Sequence, residues 1–400
     1  MKAIFLAAGE GSRMHPLTYT RPKVMLPIAN KPILEHLLIE ARGAGITEFI
    51  FVVGYHDEQV RDYFGSGDKW GGNIAYYSQM RQSGTADALK MVKGLENGNI
   101  LVINGDIIVS QKDIKKLTNR STNTVGVVAV EDTQGLGVVE LSEDKVVRIY
   151  EKVAKPPSHM ANAGIYLLTP DIFNALTQTS KSLRGEYEIT DSLQLLIDKG
   201  CPVSYQEIGY WLNLSYPWDL LPANESVLGG IDSQNQGEVE ENTVIKGTVS
   251  IGKGTVVRSG SYIVGPVTIG QDCDIGPNCH IRPYTSIGDN CHVGAASEVK
   301  NSIIMKGSKI PHHNYVGDSV IGEGCNFGSG TKIANLRLDK KDITAAGIDT
   351  KRRKLGAIIG DKVETGINTS IDVGSIIGNN THIGPGAMVS GVILPDSRIF

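Results

Sequence analysis

Residues 2–27 read KAIFLAAGEGSRMHPLTYTRPKVMLP. Ala3 to Leu6 is a short apolar run of the kind that forms a buried parallel strand. It empties into Ala7-Ala8-Gly9-Glu10-Gly11-Ser12-Arg13, where two glycines and small neighbours let backbone N–H groups approach an anion closely. The following turn can start a helix, whose N-terminus favours negative charge. Arg13 adds a fork of donors suited to phosphate oxygens. Lys23 follows Pro22, which stiffens the backbone and aims the ammonium at the same place. These features predict a triphosphate cradle with two cations. A dinucleotide fingerprint is excluded because Met14 stands where its third glycine belongs, and a Walker A loop because no Gly-Lys-Ser/Thr closes the run.

Outward from that stretch, residues 1–225 alternate apolar strand-like runs with amphipathic segments, the pattern of an α/β domain with a Rossmann-like, mostly parallel sheet. A helix is expected around Pro32–Ala44, and strands at Phe49–Gly54, Ile74–Tyr77 and Ile100–Ile103. Asn104-Gly105-Asp106 ends the last of these, and an aspartate at the carboxyl end of such a strand lies where ligands bind. Beside a triphosphate, the Asp106 carboxylate is a natural magnesium ligand. Gln79–Ala86 is a loop before a helix, with Gly84 at its tight turn and Thr85 able to cap or donate. Gly137, Glu151 and Asn162 supply a backbone, a carboxylate and an amide, which sugar-hydroxyl recognition requires. Arg184, Glu186, Thr190 and Asp191 are read as structural.

Four hundred residues suit two domains, and a net charge of −4 argues against a nucleic-acid surface as the main business. No twenty-residue apolar span or signal-peptide pattern is present, so a cytoplasmic protein without membrane attachment is expected. Five cysteines without a CxxC pair exclude a disulfide framework or zinc site. Periodicity is lost over 220–237, where Asn, Ser, Gly and Gln gather, and residues 226–237 are assigned to a linker.

From residue 238 a repeat of six takes over and runs to residue 400. Aliphatic residues stand at Val239, Ile245, Ile251, Val257, Ile263, Ile269, Ile275, Ile281, Ile287, Val293 and Val299. An inward residue every six, three to a coil, predicts a left-handed parallel β-helix of hexapeptide repeats. Cys273, Cys279, Cys291 and Cys325 fall at its small fourth-after position and are expected to pack as small hydrophobes. The phase breaks after Val299, resumes at Ile321, Phe327 and Ile333, and breaks again over a charged loop, Leu336–Leu355, containing Lys351-Arg352-Arg353-Lys354. Ile359, Ile371, Ile377, Ile383 and Val389 finish the prism.

The run LAAGEGSRMHPLT followed by RPKVMLPIANKPILEH resembles the sugar-1-phosphate nucleotidylyltransferase signature. The resemblance implies a base- and phosphate-binding set of Leu6, Ala8, Gly9, Gly11, Gln79, Gly84 and Thr85, with Arg13 and Lys23 catalytic. It also implies sugar contacts from Gly137, Glu151 and Asn162. Trp211–Trp218 matches the family's closing motif, but Asn213 and Ser215 replace its usual aspartate and glycine; Asn213 would join Asp106 on Mg²⁺ as a neutral oxygen ligand. In the second half, Arg282, Lys300, His312, Tyr315, Asn326 and Asn335 lie in segments similar to hexosamine-1-phosphate acetyltransferases. Arg282 and Lys300 would hold the sugar phosphate, Tyr315, Asn326 and Asn335 the sugar, and His312 would take the amine proton, with His313 structural. Leu336, where the bacterial enzymes carry tyrosine, puts the acceptor in question and admits galactosamine 1-phosphate. The basic run is expected to meet the phosphates of CoA.

Taken together, the chain resembles the archaeal-type bifunctional UDP-N-acetylglucosamine pyrophosphorylases and glucosamine-1-phosphate N-acetyltransferases. That implies UTP, sugar 1-phosphates and acetyl-CoA as substrates, Mg²⁺ as cofactor, and a homotrimer joined through the β-helix. Two alternatives stay open: a mannose-1-phosphate guanylyltransferase or glucose-1-phosphate thymidylyl- or uridylyltransferase with a structural β-helix, and a non-catalytic regulatory subunit.

Overall fold

A computed structural model describes every residue except 93, 95–97, 154 and 155. Contacts divide the chain into two compact units that interleave in sequence. The first comprises Met1–Glu10, Arg21–Met25 and Pro32–Asn213; the second comprises Gly11–Thr20, Leu26–Lys31 and Leu214–Phe400.

The first unit is built on a nine-stranded sheet. Its order is Asn73–Ser78, Glu48–Val53, Lys2–Ala7, Ile100–Asn104, Met160–Leu168, Asn123–Ala129, Val203–Glu207, Lys145–Glu151, Gly137–Ser142. The first four pair in parallel, and Met160–Leu168 enters antiparallel to Ile100–Asn104. Alternate residues feed opposite layers, as a period of two requires. Ala3, Phe5 and Ala7 pack with Leu34, Leu37, Leu38 and Ala41 of the helix Ile33–Gly43, while Ile4, Ile50 and Val102 pack with Ala86, Leu89, Ile172 and Leu193 on the other face. After Lys2–Ala7 the chain builds outward to Asn73–Ser78, then returns to lay Ile100–Asn104 on the other side of the first strand. The carboxyl ends of those two neighbours form the topological switch point, where open α/β sheets place their ligands.

The second unit stacks short strands into three parallel sheets, two of nine strands and one of eight, so it is a parallel β-helix. Successive coils are 18 residues apart at first, as Ile251↔Ile269↔Ile287 shows. Inward residues from Val249 to Val389 form one continuous core. Corner residues Asp272, Asn278, Asn290 and Ala296 take φ of 52, 54, 57 and 55°, which explains the abundance of Asn and Asp at these turns.

Three sequence expectations need correction here. Ile245, counted with the core, is 39% exposed, because the first coil has no layer beneath it. The break after Val299 is no gap: Ile304, Ile310 and Val316 continue the stack, with coils shortened to 17 residues (Ile287↔Ile304, Val293↔Ile310, Val299↔Val316). One residue lost at a corner shifts the sequence phase and leaves the layers intact. The stretch from 220 is not irregular: Leu220–Leu228 is a helix whose buried side includes Asn224, a polar residue that hid the stripe. Asn224 accepts from Ala29 N and donates to Tyr284 O within the second unit. The charged loop Leu336–Leu355 departs from the stack as expected, with Ile343, Ala345 and Leu355 buried and a small hairpin pairing Thr344–Ala345 with Ile348–Asp349.

Candidate functional site

At the switch point, Gly105 N donates to Leu6 O at 3.0 Å. A Cβ on Gly105 would lie 2.7 Å from both Leu6 O and Val24 Cγ1, so only glycine lets the Asp106 turn close against the end of the first strand. Lys23, 7% exposed, places Nζ 3.0 Å from Asp106 Oδ2. The strand Trp211–Asn213 pairs antiparallel with Ile107–Val109 in the register Asn213↔Ile107, setting Asn213 beside that turn, while Trp211 Nε1 donates to Ala163 O. Asp106 is only part-buried, and its carboxylate with the Asn213 amide oxygen is a hard-donor pair. That set fits Mg²⁺, which takes one or two protein oxygens and completes its shell with phosphates and water.

Gly9 is exposed and Ala8 O accepts from Tyr55 N and Gln82 Nε2. Gln79 turns inward: it is 4% exposed, and its amide donates to Asp87 and Gly84 O. Thr85 Oγ1 accepts from Ile189 N and Tyr187 O accepts from Ala86 N, so this loop is braced against the segment Tyr187–Ile189. Gly11, with φ of 74°, precedes the short turn that carries Arg13, whose guanidinium lies 5.6 Å from the Tyr216 ring centroid.

The three expected sugar contacts do converge. Gly137 pairs with Glu151 across two antiparallel strands, and a Cβ on Gly137 would meet Glu151 Oε2 at 3.0 Å and Asn162 Cβ at 3.6 Å. Asn162 donates to Tyr166 Oη at 2.8 Å and accepts from Gly164 N. Residues read as structural also reach this point: Arg184 Nη1 stands 3.3 Å from Glu151 and 3.0 Å from Glu188, and Thr190 Oγ1 is 3.4 Å from Glu151. Glu188 was missed altogether. Burial, followed by the nearby Glu151 charge, pushes its carboxyl up to about 7, and burial likewise raises Glu151. Only its place in the run Arg184–Asp191 hinted at this role.

In the β-helix, Glu298–Lys300, Tyr315–Gly317 and Lys332–Ile333 stack in one sheet. Arg282 pairs with Glu298 at 2.8 Å and Lys300 with the buried Asp318 at 3.0 Å. Asn335 donates to Tyr315 Oη at 3.2 Å and to Asp318. Burial raises the Tyr315 hydroxyl, and the Glu298 and Asp318 charges add to it. Arg282, Lys300, Tyr315 and Asn335 thus share one face. His312 and Asn326 lie apart from that network: His312 is exposed on the turn before Tyr315, and Asn326 is exposed on the neighbouring sheet, whose strand pairs with Glu364–Thr365. Of the basic run, Lys351, Arg353 and Lys354 are exposed; Arg352 is partly buried, and burial lowers its pKa.

Residues 2–229 match the nucleotidyl transferase family, and residues 263–372 match the GMPPB C-terminal domain. The chain is 41% identical over 406 residues to "Bifunctional protein GlmU" of Methanococcus maripaludis, spanning all of this chain and 97% of that one. It is also 41% identical to the "Bifunctional sugar-1-phosphate nucleotidylyltransferase/acetyltransferase" of Sulfurisphaera tokodaii, covering 98% of this chain and 97% of that one. Among solved structures, a glucose-1-phosphate thymidylyltransferase from Bacillus anthracis, itself described as putative, superposes with a TM-score of 0.52 at 30% identity, covering 59% of this chain and 98% of the other. The fold and the switch-point site define a nucleotidyl transferase. Over its full length the chain belongs to the family of bifunctional sugar-1-phosphate nucleotidylyltransferases/acetyltransferases.

Proposed function

We propose that the protein transfers a uridylyl group from UTP to N-acetylglucosamine 1-phosphate, releasing pyrophosphate, and transfers acetyl from acetyl-CoA to glucosamine 1-phosphate, with galactosamine 1-phosphate as a second acceptor. The observation that carries this is the full-length match to bifunctional relatives. A glucose-1-phosphate thymidylyltransferase of Streptomyces antibioticus, by contrast, matches only 69% of the chain. Residues 1–225 are assigned to nucleotidyl transfer and 238–400 to acetyl transfer.

In the first reaction a sugar-phosphate oxygen attacks the α-phosphorus, and positioning with electrostatic stabilisation does most of the catalysis. Lys23 and Arg13 supply cationic donors to the triphosphate, Gly9 and Gly11 its backbone bed, and Glu151, Asn162 and Gly137 orient the sugar. Asp106 and Asn213 would hold Mg²⁺, which when bound neutralises phosphate charge. In the second reaction His312 removes the amine proton while Lys300 and Arg282 hold the sugar phosphate and Tyr315, Asn326 and Asn335 the ring. Exposed Lys351, Arg353 and Lys354 suit the phosphates of CoA. A homotrimer through the β-helix is part of this proposal, in which His312 and Asn326, exposed and apart from the Asp318 network, would serve an acetyl site completed by another copy.

The test is a panel of four nucleoside triphosphates against several sugar 1-phosphates, with acetyl-CoA added or withheld. UTP with N-acetylglucosamine 1-phosphate, and acetylation of an aminosugar phosphate, are the expected activities. A protein that never acetylates has a scaffold for its second half, and the single-activity alternative replaces this reading.

A further inference from the structure

Asp318 is a buried carboxylate at a corner of the β-helix, with its side chain 3% exposed. Its two oxygens receive three side-chain donors: Lys300 Nζ at 3.0 Å, Asn301 Nδ2 at 2.7 Å, and Asn335 Nδ2. Its backbone is held just as firmly, with its N–H on Lys300 O at 2.9 Å and its carbonyl accepting from Gly356 N at 2.8 Å. The donors come from the coil below, at Lys300 and Asn301, and from the strand end above, at Asn335. Two of the three are residues assigned above to the aminosugar phosphate, and the second donor contact of Asn335 is the hydroxyl of Tyr315, a third.

A lysine on a flexible stem must be ordered before its ammonium can meet a phosphate, and that ordering costs entropy at the moment of binding. Asp318 removes this cost beforehand. The ammonium spends one of its three N–H donors on the carboxylate and keeps two for a ligand. Asn335, fixed by Asp318 and Tyr315, is likewise set before any ligand arrives. We propose that Asp318 is the positioning residue of the acceptor half of the acetyl-transfer site, holding Lys300 and Asn335 for an anionic aminosugar that it does not itself touch. This rests on the acetyl-transfer reading above.

Asp318→Asn in the full chain keeps the shape, removes the charge, and turns one acceptor into a donor facing donors. KM for glucosamine 1-phosphate is expected to rise about tenfold or more with a smaller change in kcat, the split that marks lost binding of the ground state. KM for acetyl-CoA and uridylyl turnover should hold. In a Lys300→Met background the same substitution should add little, because coupled residues are not additive. An unchanged KM, or full additivity with Lys300→Met, overturns the proposal. A second readout does not depend on activity: acetylation of Lys300 by an amine-reactive N-hydroxysuccinimide ester, followed by peptide mass spectrometry with exposed Lys309 as reference. Release from Asp318 should raise Lys300 labelling several-fold, and unchanged labelling overturns positioning. Raised labelling in a protein whose wild type never acetylates sinks the functional reading and leaves the positioning intact. Should Asp318→Asn not fold, Asp318→Glu displaces the charge by one methylene, and the same two outcomes decide.

Discussion

Lys23 is a buried cation paired with Asp106, the residue proposed above to hold Mg²⁺. Lys23→Ala should therefore cost nucleotidyl transfer about a hundredfold or more, as losing a contact to developing charge does, with acetyl transfer untouched. Near-normal UTP turnover would remove Lys23 from the mechanism. Glu188 makes a pH prediction. Its folded pKa, about 7, stands above the ordinary 4.5, so the folded state holds a proton that the unfolded chain releases. Its contribution to stability is complete below about pH 4.5 and fades as pH rises through 7. Glu151 and Glu186 face it with like charge, Arg184 and Lys152 with opposite charge, and burial outweighs the cations. Glu188→Gln stays neutral throughout, so its melting temperature relative to wild type should climb between pH 5 and pH 8. Calorimetry at both values checks this, and a pH-independent difference would refute it.

At the scale of elements, the β-helix draws stability from one inward residue per side per coil. Phe327 is the largest of these and 1% exposed, in register with Thr365 above it. Phe327→Ala leaves a cavity that a closed prism cannot collapse, and such truncations cost about 3–5 kcal/mol. Thermal unfolding should show the loss. A cost below about 1 kcal/mol would mean that the coil repacks. The buried cysteines obey the same logic, since burial pushes the Cys291 and Cys325 thiols up to about 12. At neutral pH a thiol reagent should label Cys201 in the folded protein and spare Cys273, Cys279, Cys291 and Cys325 until it unfolds.

For the whole molecule, the expectation is two chemistries that mutation can separate. An amine must be neutral to attack a thioester, and a histidine within reach typically contributes about 10²–10⁴-fold as base. His312→Ala should remove most acetyl transfer and His313→Ala little, since His313 is a corner residue with φ of 54° whose carbonyl receives Lys332. Both variants should keep uridylyl transfer. Equal losses of acetyl transfer would return the choice between the two histidines to the bench.

Local chemistry determined a good deal by itself. The glycine loop after an apolar strand, the carboxylate at a strand end and the six-residue period each act within a few residues, so Gly9, Gly11, Asp106 and the inward aliphatic ladder were legible in the chain. Tertiary structure decided what depends on residues distant in sequence. Asp318 matters because Lys300 and Asn335 meet it from neighbouring coils, and Glu188 titrates high because folding buries it beside Glu151. Gln79, which the resemblance assigns to the base, is buried, and its amide donates to Asp87 and the Gly84 carbonyl. Ile245 has the right period but sits on the first strand of its sheet, paired only with Ile263 of the next coil, and stays 39% exposed. Periodicity reports which side a residue faces, whereas burial, charge balance and hydrogen-bond partners are properties of the packed chain.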